Sequence, residues 1–230
     1  MCVSIWGSDL PHRRTLVSII RCATKEEGVR AVSFCPEEPH LLVSGAGEWL
    51  TLLDVSRLST KHVASWEHAN PEMNISGVAW SPSLNVIGYT STEGTTALLD
   101  LRRKQPADST VIQSRRSYSD IIFNPNNPDQ MAVSCDDDDS SLPTVTIFDI
   151  RNMTRGVVRQ FCEQGVRCLS WSAANDLILL GTKSGVEIWD DKQLLSQETT
   201  GPCLDLDWSH TEAGCFVVSV EKKLTLYEFK

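Results

Sequence analysis

Four consecutive aspartates, Asp136 to Asp139, form the densest group of potential metal ligands in the chain. Oxygen-rich loops of this kind can bind calcium. The ligands of an EF-hand, however, alternate with other residues and lead to a glycine and a distant glutamate, a spacing that this run does not have. Four adjacent carboxylates repel one another, which a turn in water tolerates better than a buried position. We therefore expect a solvent-exposed hairpin tip rather than a metal site.

The histidines and cysteines likewise form no catalytic or metal-binding pattern. The five histidines are scattered, no GxSxG nucleophile motif lies near them, and no glycine-rich phosphate-binding motif occurs. The eight cysteines include no CxxC pair and no cysteine–histidine set at zinc spacing. Reduced thiols that pack as small apolar groups are the simplest interpretation. We predict a protein that is not an enzyme and has no cofactor and no metal.

Two short basic segments, Arg102 to Lys104 and Arg115 to Arg116, lie in one connection of an acidic chain of net charge −9. That net charge argues against coating a nucleic acid, because phosphate binding depends on clustered Lys and Arg. We expect solvated loops, and the less favoured alternative is a site for an anionic partner. The candidate interaction surface combines these arginines with the acidic run and a later arginine: Arg102, Arg103, Arg115, Arg116, Asp136, Asp137, Asp138, Asp139 and Arg151.

A pattern that recurs five times must position these residues. Each copy has an aromatic residue, a polar residue and usually a proline, then an apolar strand, a short turn and a second strand closed by an acid. The aromatics are Phe34, Trp80, Phe123, Trp171 and Trp208, and the acids are Asp54, Asp100, Asp149 and Asp190, with Glu228 in the last copy. Successive aromatics are 37 to 48 residues apart, which brackets the roughly 40–45-residue period of a WD40 propeller blade. We interpret them and the four aspartates as structural anchors of successive blades.

The composition agrees with an all-β protein of one domain. Of the 230 residues, 41% are hydrophobic and 22% charged, the strand segments are rich in β-branched and aromatic residues, and helical spacing is absent. The pattern predicts a single WD40 β-propeller domain over residues 1–230. Its units are a partial blade at 1–25 and five blades of three to four strands at about 28–66, 75–113, 117–161, 165–199 and 202–230.

The ends of the chain raise the question of ring closure. Val3 to Trp6 (VSIW) is similar to Val186 to Trp189 (VEIW), so we expect this segment to be the third strand of a blade and Leu16 to Arg21 to follow as its outer strand. Either this outer strand crosses over to pair with Leu224 to Phe229 and closes a five-bladed ring, or the chain is an open arc of a seven-bladed propeller. We favour the open arc, with the outer strand paired to its own hairpin partner.

The sequence contains no membrane or secretion signal that we recognise. No run of about 18 apolar residues occurs, so no segment is expected to span a bilayer. At the start, the basic residues follow a short apolar run interrupted by Asp9, the wrong order for a signal peptide. We expect a cytoplasmic protein.

The third copy carries the most specific resemblance to a known family. Cys135 to Arg151 reads CDDDDSSLPTVTIFDIR and resembles a blade of the larger outer-cage subunit of the COPII vesicle coat, the Sec-thirty-one family, in which an acidic turn containing Leu-Pro precedes a Trp-Asp-Leu-Arg strand end. Four further segments are similar to successive blades of that propeller, in the same order: those beginning at Gly28, Thr95, Gly165 and Cys203. The match covers nearly the whole chain. Only Trp189-Asp190 is a literal Trp-Asp pair, so we expect packing to contribute more than the usual WD40 hydrogen-bond network.

The resemblance implies a non-catalytic scaffold in ER-to-Golgi vesicle transport, peripheral at endoplasmic-reticulum exit sites and transport vesicles. The implied partners are other coat subunits, such as the smaller six-bladed outer-coat propeller or another copy of the same propeller. The family's propeller has seven blades and is followed by an inserted blade, a helical solenoid and a Pro-rich region, so we expect this chain to match at most the larger part of the propeller. Rod building and GTPase stimulation belong to those later regions and are not carried over.

An alternative function comes from a different class, the substrate receptors of cullin-type ubiquitin ligases. The strand ends Leu99 to Arg102 and Phe148 to Arg151 approximate the Trp-Asp-x-Arg box of such receptors. An arginine after a blade's aspartate is widespread in propellers, where it is solvated or pairs with a neighbouring loop. We therefore favour the coat scaffold.

Overall fold

A computed structural model describes residues 2–10, 13–21, 28–56, 61–67, 73–82, 85–102, 112–113, 117–137, 144–153, 157–159, 164–190, 193–209, 211–221 and 223–229. The elements of these residues are β-strands in small antiparallel sheets. The N-terminal hairpin consists of β1 (Cys2–Leu10) and β2 (Arg13–Arg21).

Five further sheets follow along the chain, and we number them blades 1 to 5. Blade 1 contains β3 (Ala31–Phe34), β4 (Leu41–Ala46), β5 (Trp49–Asp54) and β6 (Lys61–Glu67). Blade 2 contains β7 (Ile75–Trp80), β8 (Val86–Ser91), β9 (Thr95–Asp100) and β10 (Ile112–Gln113). Blade 3 contains β11 (Asp120–Phe123), β12 (Gln130–Ser134), β13 (Val145–Asp149) and β14 (Val157–Arg159). Blade 4 contains β15 (Val166–Trp171), β16 (Ile178–Thr182), β17 (Val186–Trp189) and β18 (Leu194–Glu198), and blade 5 contains β19 (Cys203–Trp208), β20 (Cys215–Val220) and β21 (Lys223–Glu228).

Each blade is an antiparallel meander in which consecutive strands pair. Short turns make this possible, as between β8 and β9, where Gly94 adopts a φ of 84° that residues with a side chain rarely reach. In blades 2 and 4 the first two strands are almost entirely buried, whereas the fourth strand of blade 4 is mostly exposed. The first strand of a blade is therefore its inner strand.

The anchor aromatics give every blade two distinct faces. Because side chains alternate along a strand, the anchor and the residue two positions before it share one face, which we call the incoming face. Residues one and three positions before the anchor lie on the opposite, outgoing face. The buried clusters join the outgoing face of one blade to the incoming face of the next, as Val145 and Ile147 of blade 3 do with Leu169 and Trp171 of blade 4. The core is thus a series of blade-to-blade junctions.

The strand pairing answers the question of ring closure. In the N-terminal hairpin, Val3 is opposite Ile20 and Trp6 is opposite Leu16. The segment Leu16 to Arg21 therefore pairs with β1, and within the described part of the chain β21 pairs only with β20. The predicted all-β propeller with an open arc is confirmed, and the alternative closed five-bladed ring is wrong.

Candidate interaction surfaces

The closing aspartates hold the turn that follows the third strand. The backbone N–H two residues later donates to Oδ1 of Asp54, Asp100 and Asp149, at 2.8–3.0 Å. Asp190 accepts in the same way from the N–H of Gln193, three residues later, at 2.7 Å. Short aspartate side chains form such turns readily because they can reach their own backbone. These aspartates therefore stabilise the turn that leads from the third strand of a blade towards the fourth.

The two arginines of the strand ends are paired with these same aspartates. Arg102 donates through Nε and Nη2 to both carboxylate oxygens of Asp100, each at 2.9 Å. Arg151 binds Asp149 in the same two-point manner, at 2.9 and 2.7 Å, and also contacts Asp129 at 3.2 Å. The hydrogen bonds from Arg151 lower the pKa of Asp149. Both arginines are exposed, so they are available at the surface as parts of local ion pairs.

The first residue of the acidic run takes part in a junction between blades. Asp136 is partly buried, and its Oδ2 accepts from Nε and Nη2 of Arg167 in blade 4, at 3.3 and 3.2 Å. The predicted solvent-exposed tip is therefore wrong for Asp136, because an arginine 31 residues later in the chain covers it. Asp137 is exposed. Asp138, Asp139, Arg103, Arg115 and Arg116 lie outside the described residues.

The described residues contain no group of three or more His, Cys, Asp or Glu side chains placed to hold a metal ion. None of them forms a helix long and apolar enough to cross a membrane. The described cysteines, Cys35, Cys135, Cys168, Cys203 and Cys215, are not joined in disulfides.

Four of the five anchor aromatics are buried at junctions. Trp80, Phe123, Trp171 and Trp208 each expose less than a tenth of their surface. Phe34 is 49% exposed, and Val32, two positions before it on the same face, is 47% exposed. The exposed part of this face is therefore the inner strand, since Leu42 and Leu53 in the same row of the blade 1 sheet are buried.

Side chains on the outgoing faces receive backbone N–H groups from the next blade. Ser33 Oγ accepts from the N–H of Trp80, and Ser170 Oγ accepts from the N–H of Trp208, both at 3.1 Å. Each serine lies one residue before its own anchor, and each donor is the next anchor. The same hydrogen bond thus recurs at two different junctions.

Asp120, three residues before its anchor, also accepts a backbone N–H from the next blade, and it was not among the residues predicted from the sequence. Its Oδ2 accepts from the N–H of Leu169 in blade 4 at 2.9 Å, and its Oδ1 accepts from the N–H of Ile121 at 2.8 Å. Burial between the blades raises the pKa of Asp120 to about 6, against the opposing effect of these two hydrogen bonds. A signal was present in the sequence, because an aspartate at the start of a strand as apolar as DIIF needs a polar partner.

Two thiols meet at the next junction. Cys168 Sγ of blade 4 lies 3.8 Å from Cys203 Sγ of blade 5. The hydrogen bond to Cys203 and burial raise the pKa of Cys168. Gly181 leaves the space that both sulfur atoms occupy, since a Cβ there would contact them. This pair serves packing.

Blade 5 presents an uncovered outgoing face at the other end of the arc. The register of the sheet places Asp205, Ser219 and Leu224 opposite one another on this face, and Asp207, Val217 and Leu226 form the next such row. The side chains of Leu224 and Leu226 are 71% and 70% exposed. The face therefore combines two exposed leucines with the carboxylate of Asp205 and with Asp207, whose Oδ1 accepts from Ser170 Oγ of blade 4 at 2.8 Å.

The fold and these surfaces define the molecule as an open β-propeller of the WD40 type, built of similar blades, with an exposed inner strand in blade 1 and an exposed outgoing face in blade 5. No protein-family model matches the chain. The chain is similar, however, to several proteins named Protein transport protein SEC31. It is 24% identical to that of Eremothecium gossypii over 199 residues, which are 80% of this chain and 16% of the relative.

Two further relatives agree. The SEC31 protein of Pyricularia oryzae is 26% identical over 173 residues, 73% of this chain and 13% of the relative, and that of Mycosarcoma maydis is 25% identical over 206 residues, 77% of this chain and 14% of the relative. The resemblance predicted from the order of the blades is confirmed by these matches. The chain spans only 13–16% of the length of the curated relatives that it matches.

Proposed function

We propose that this propeller is a non-catalytic scaffold of the COPII outer coat in ER-to-Golgi transport. The observation that carries the proposal is the similarity to SEC31 transport proteins over about three quarters of the chain. The surfaces support it, because exposed strands and surface ion pairs suit contacts with other proteins. Its partners are coat subunits, with the smaller six-bladed outer-coat propeller as the first candidate. Its location is the cytoplasmic side of endoplasmic-reticulum exit sites and transport vesicles.

Affinity purification of the tagged chain tests this function against the ubiquitin-ligase alternative. The double variant Arg102→Ala/Arg151→Ala removes both approximations of the Trp-Asp-x-Arg box, and the positions are exposed, so the fold should be retained. We expect coat subunits to co-purify equally with the wild type and the variant. Fluorescence of the tagged chain should coincide with exit-site markers.

Recovery of a cullin-ligase adaptor with the wild type, lost in the double variant, would reverse the proposal. The proposal would be refuted if no coat subunit co-purified and the fluorescence of the tagged chain did not coincide with exit-site markers. The pairing of each arginine with its own aspartate favours equal recovery of coat subunits by the wild type and the variant, because those side chains already have strong local partners.

A further inference from the structure

The junction between blades 3 and 4 shows what an outgoing face binds. Asp120 accepts the N–H of Leu169, which lies two residues before the anchor of blade 4. The N–H of Val166 donates to the carbonyl oxygen of Cys135 at 2.8 Å, and Arg167 pairs with Asp136. The segment bound in this way is GVRCLSW, residues 165–171. Asp120, the carbonyl oxygen of Cys135 and Asp136 thus bind the inner strand of blade 4.

Blade 5 repeats the receiving side of this junction. Asp205 lies three residues before its anchor and is opposite Ser219, just as Asp120 is opposite Ser134. Two residues after the serine comes Glu221, where blade 3 has Asp136. The Oδ1 atom of Asp205 accepts the N–H of the next residue, as that of Asp120 does. Blade 5 therefore has acids at the two positions through which blade 3 binds blade 4, and both of these acids, Asp205 and Glu221, are exposed.

Blade 1 repeats the presenting side. Residues 28–34 read GVRAVSF against GVRCLSW in blade 4, so Arg30 corresponds to Arg167 and Val32 to Leu169. The N–H of Cys35 bonds within the sheet, to Leu41, so by antiparallel alternation the N–H groups of Phe34 and Val32 point away from β4. On the incoming face of blade 1, Leu42 is buried and the inner strand is accessible. The inner strand is also the element that the internal junctions use.

We propose that the outgoing face of blade 5 binds the inner strand of blade 1 of a second copy of this chain. In this junction Asp205 accepts the N–H of Val32, and Arg30 pairs with Glu221. Leu224 and Leu226 contact the exposed side chains of Val32 and Phe34, the part of the incoming face of blade 1 that is not already buried. Copies then join head to tail, which is a heterologous contact between two different surfaces.

Charge favours this arrangement over a symmetric one. Two blade 5 faces brought together would oppose Asp205 and Asp207 of one copy to the same acids of the other, and like charges across an interface are unfavourable. The inner strand of blade 1 offers N–H groups and the exposed Arg30 instead. The blade 5 face is thus matched by the inner strand of blade 1 of a second copy, and not by the blade 5 face of that copy.

Mixing two defective variants tests the proposal with the purified full chain. Phe34→Asp disables the presenting surface, and Leu226→Asp disables the receiving surface. Burying an unpaired carboxylate in either should weaken association at least about tenfold. We expect the wild type to show a mass that rises with concentration above 25.5 kDa, each variant alone to remain a monomer, and an equimolar mixture to form a species of twice the chain mass. The mixture has only one intact junction, so it should grow no further.

Several outcomes of light scattering coupled to chromatography would overturn the proposal. A wild type that stays monomeric at about 1 mM, the weak end of the affinity scale, would refute it. A mixture that stays monomeric would show that the two surfaces do not meet between copies. The control is Leu195→Asp, on the fourth strand of blade 4, where the leucine is 40% exposed against 49% for Phe34 and 70% for Leu226; this variant should associate like the wild type.

A charge exchange tests the register of the junction with substitutions at exposed sites that spare the fold. Arg30→Glu and Glu221→Arg should each weaken association several-fold, and the double variant should recover most of the loss. Absence of recovery while the Phe34 and Leu226 variants behave as described would reject the proposed register, in which Arg30 meets Glu221. Circular dichroism melts of all variants, overlapping that of the wild type, show that each is folded.

Discussion

Residues 28–34 and 165–171 are nearly the same sequence in two different surroundings. Both end an inner strand on an aromatic anchor, and both place an arginine four residues before it. Trp171 is buried at 7% exposure between blades 3 and 4, whereas Phe34 is half exposed at the end of the arc. The local sequence therefore determines the strand and the direction of its side chains. The preceding blade determines whether those side chains are buried.

The largest difference between the two regions should appear when the anchors are truncated. Trp171→Ala should lower the free energy of unfolding by roughly 3–5 kcal/mol, the range for large aromatics in packed cores, and Trp80→Ala should do the same. Phe34→Ala should cost about 1 kcal/mol, because only half of its side chain is removed from water. Thermal and urea melts at low protein concentration measure both. A loss below about 1 kcal/mol at Trp80 and Trp171 would mean that the blade register is wrong.

A covered and an uncovered outgoing face can be compared through one small residue on the second strand. A Cβ at Gly45 would clash with Ile75 and come within 2.9 Å of Val78 in blade 2. Gly45→Ala should therefore cost about 1–3 kcal/mol through overpacking. Ser219 occupies the matching position on the open face of blade 5, so Ser219→Ala should change stability by less than about 0.5 kcal/mol. Equal costs at both sites in urea titrations would contradict the assignment of the two faces.

The two aspartates three residues before their anchors should differ in the pH dependence of stability. The pKa of Asp120 is about 6 in the folded protein against an ordinary value of 3.8, so the folded state binds the proton more tightly between these values. The contribution of Asp120 to stability should therefore fall as the pH rises from about 4 to about 6. We expect a loss on the order of 1–2 kcal/mol, with allowance for partial exposure.

Asp120→Asn should remove this component, measured as the difference between wild-type and variant unfolding free energies across that pH range. Burial also raises the pKa of Asp205, but no following blade covers it. Asp205→Asn should therefore give a flatter difference curve. A difference curve for Asp120→Asn that rises with pH would show that the hydrogen bonds outweigh burial.

The smallest effect is expected away from both faces. Arg151→Ala removes an exposed two-point ion pair with Asp149, and exposed pairs contribute little because water screens them. Stability should change by less than about 0.5 kcal/mol. The backbone hydrogen bond from residue 151 to Asp149 remains in the variant. A larger loss would indicate that the turn depends on the side chain and not on the backbone.

The repeat made the fold predictable from the sequence, because aromatics at constant phase imply the same side-chain direction in every copy. The open arc could also be predicted, because Val3 to Trp6 is similar in sequence to the third strands of other blades. The exposure of Phe34 could not be predicted in this way, because its own segment resembles a buried one. The roles of Asp120 and Asp136 depend on groups more than 30 residues away in the chain. Such pairings require the stacking of blades, which no local pattern encodes.

The serine that receives the next anchor at two separate junctions has a consequence for how such a molecule can change in size. Its partner is a main-chain N–H, which every residue except proline possesses, and so any blade could follow any other at that joint. The number of blades is then not specified within a single blade. An exchange of whole blades would preserve this hydrogen bond, whereas side-chain contacts such as that of Arg167 with Asp136 would have to be matched again.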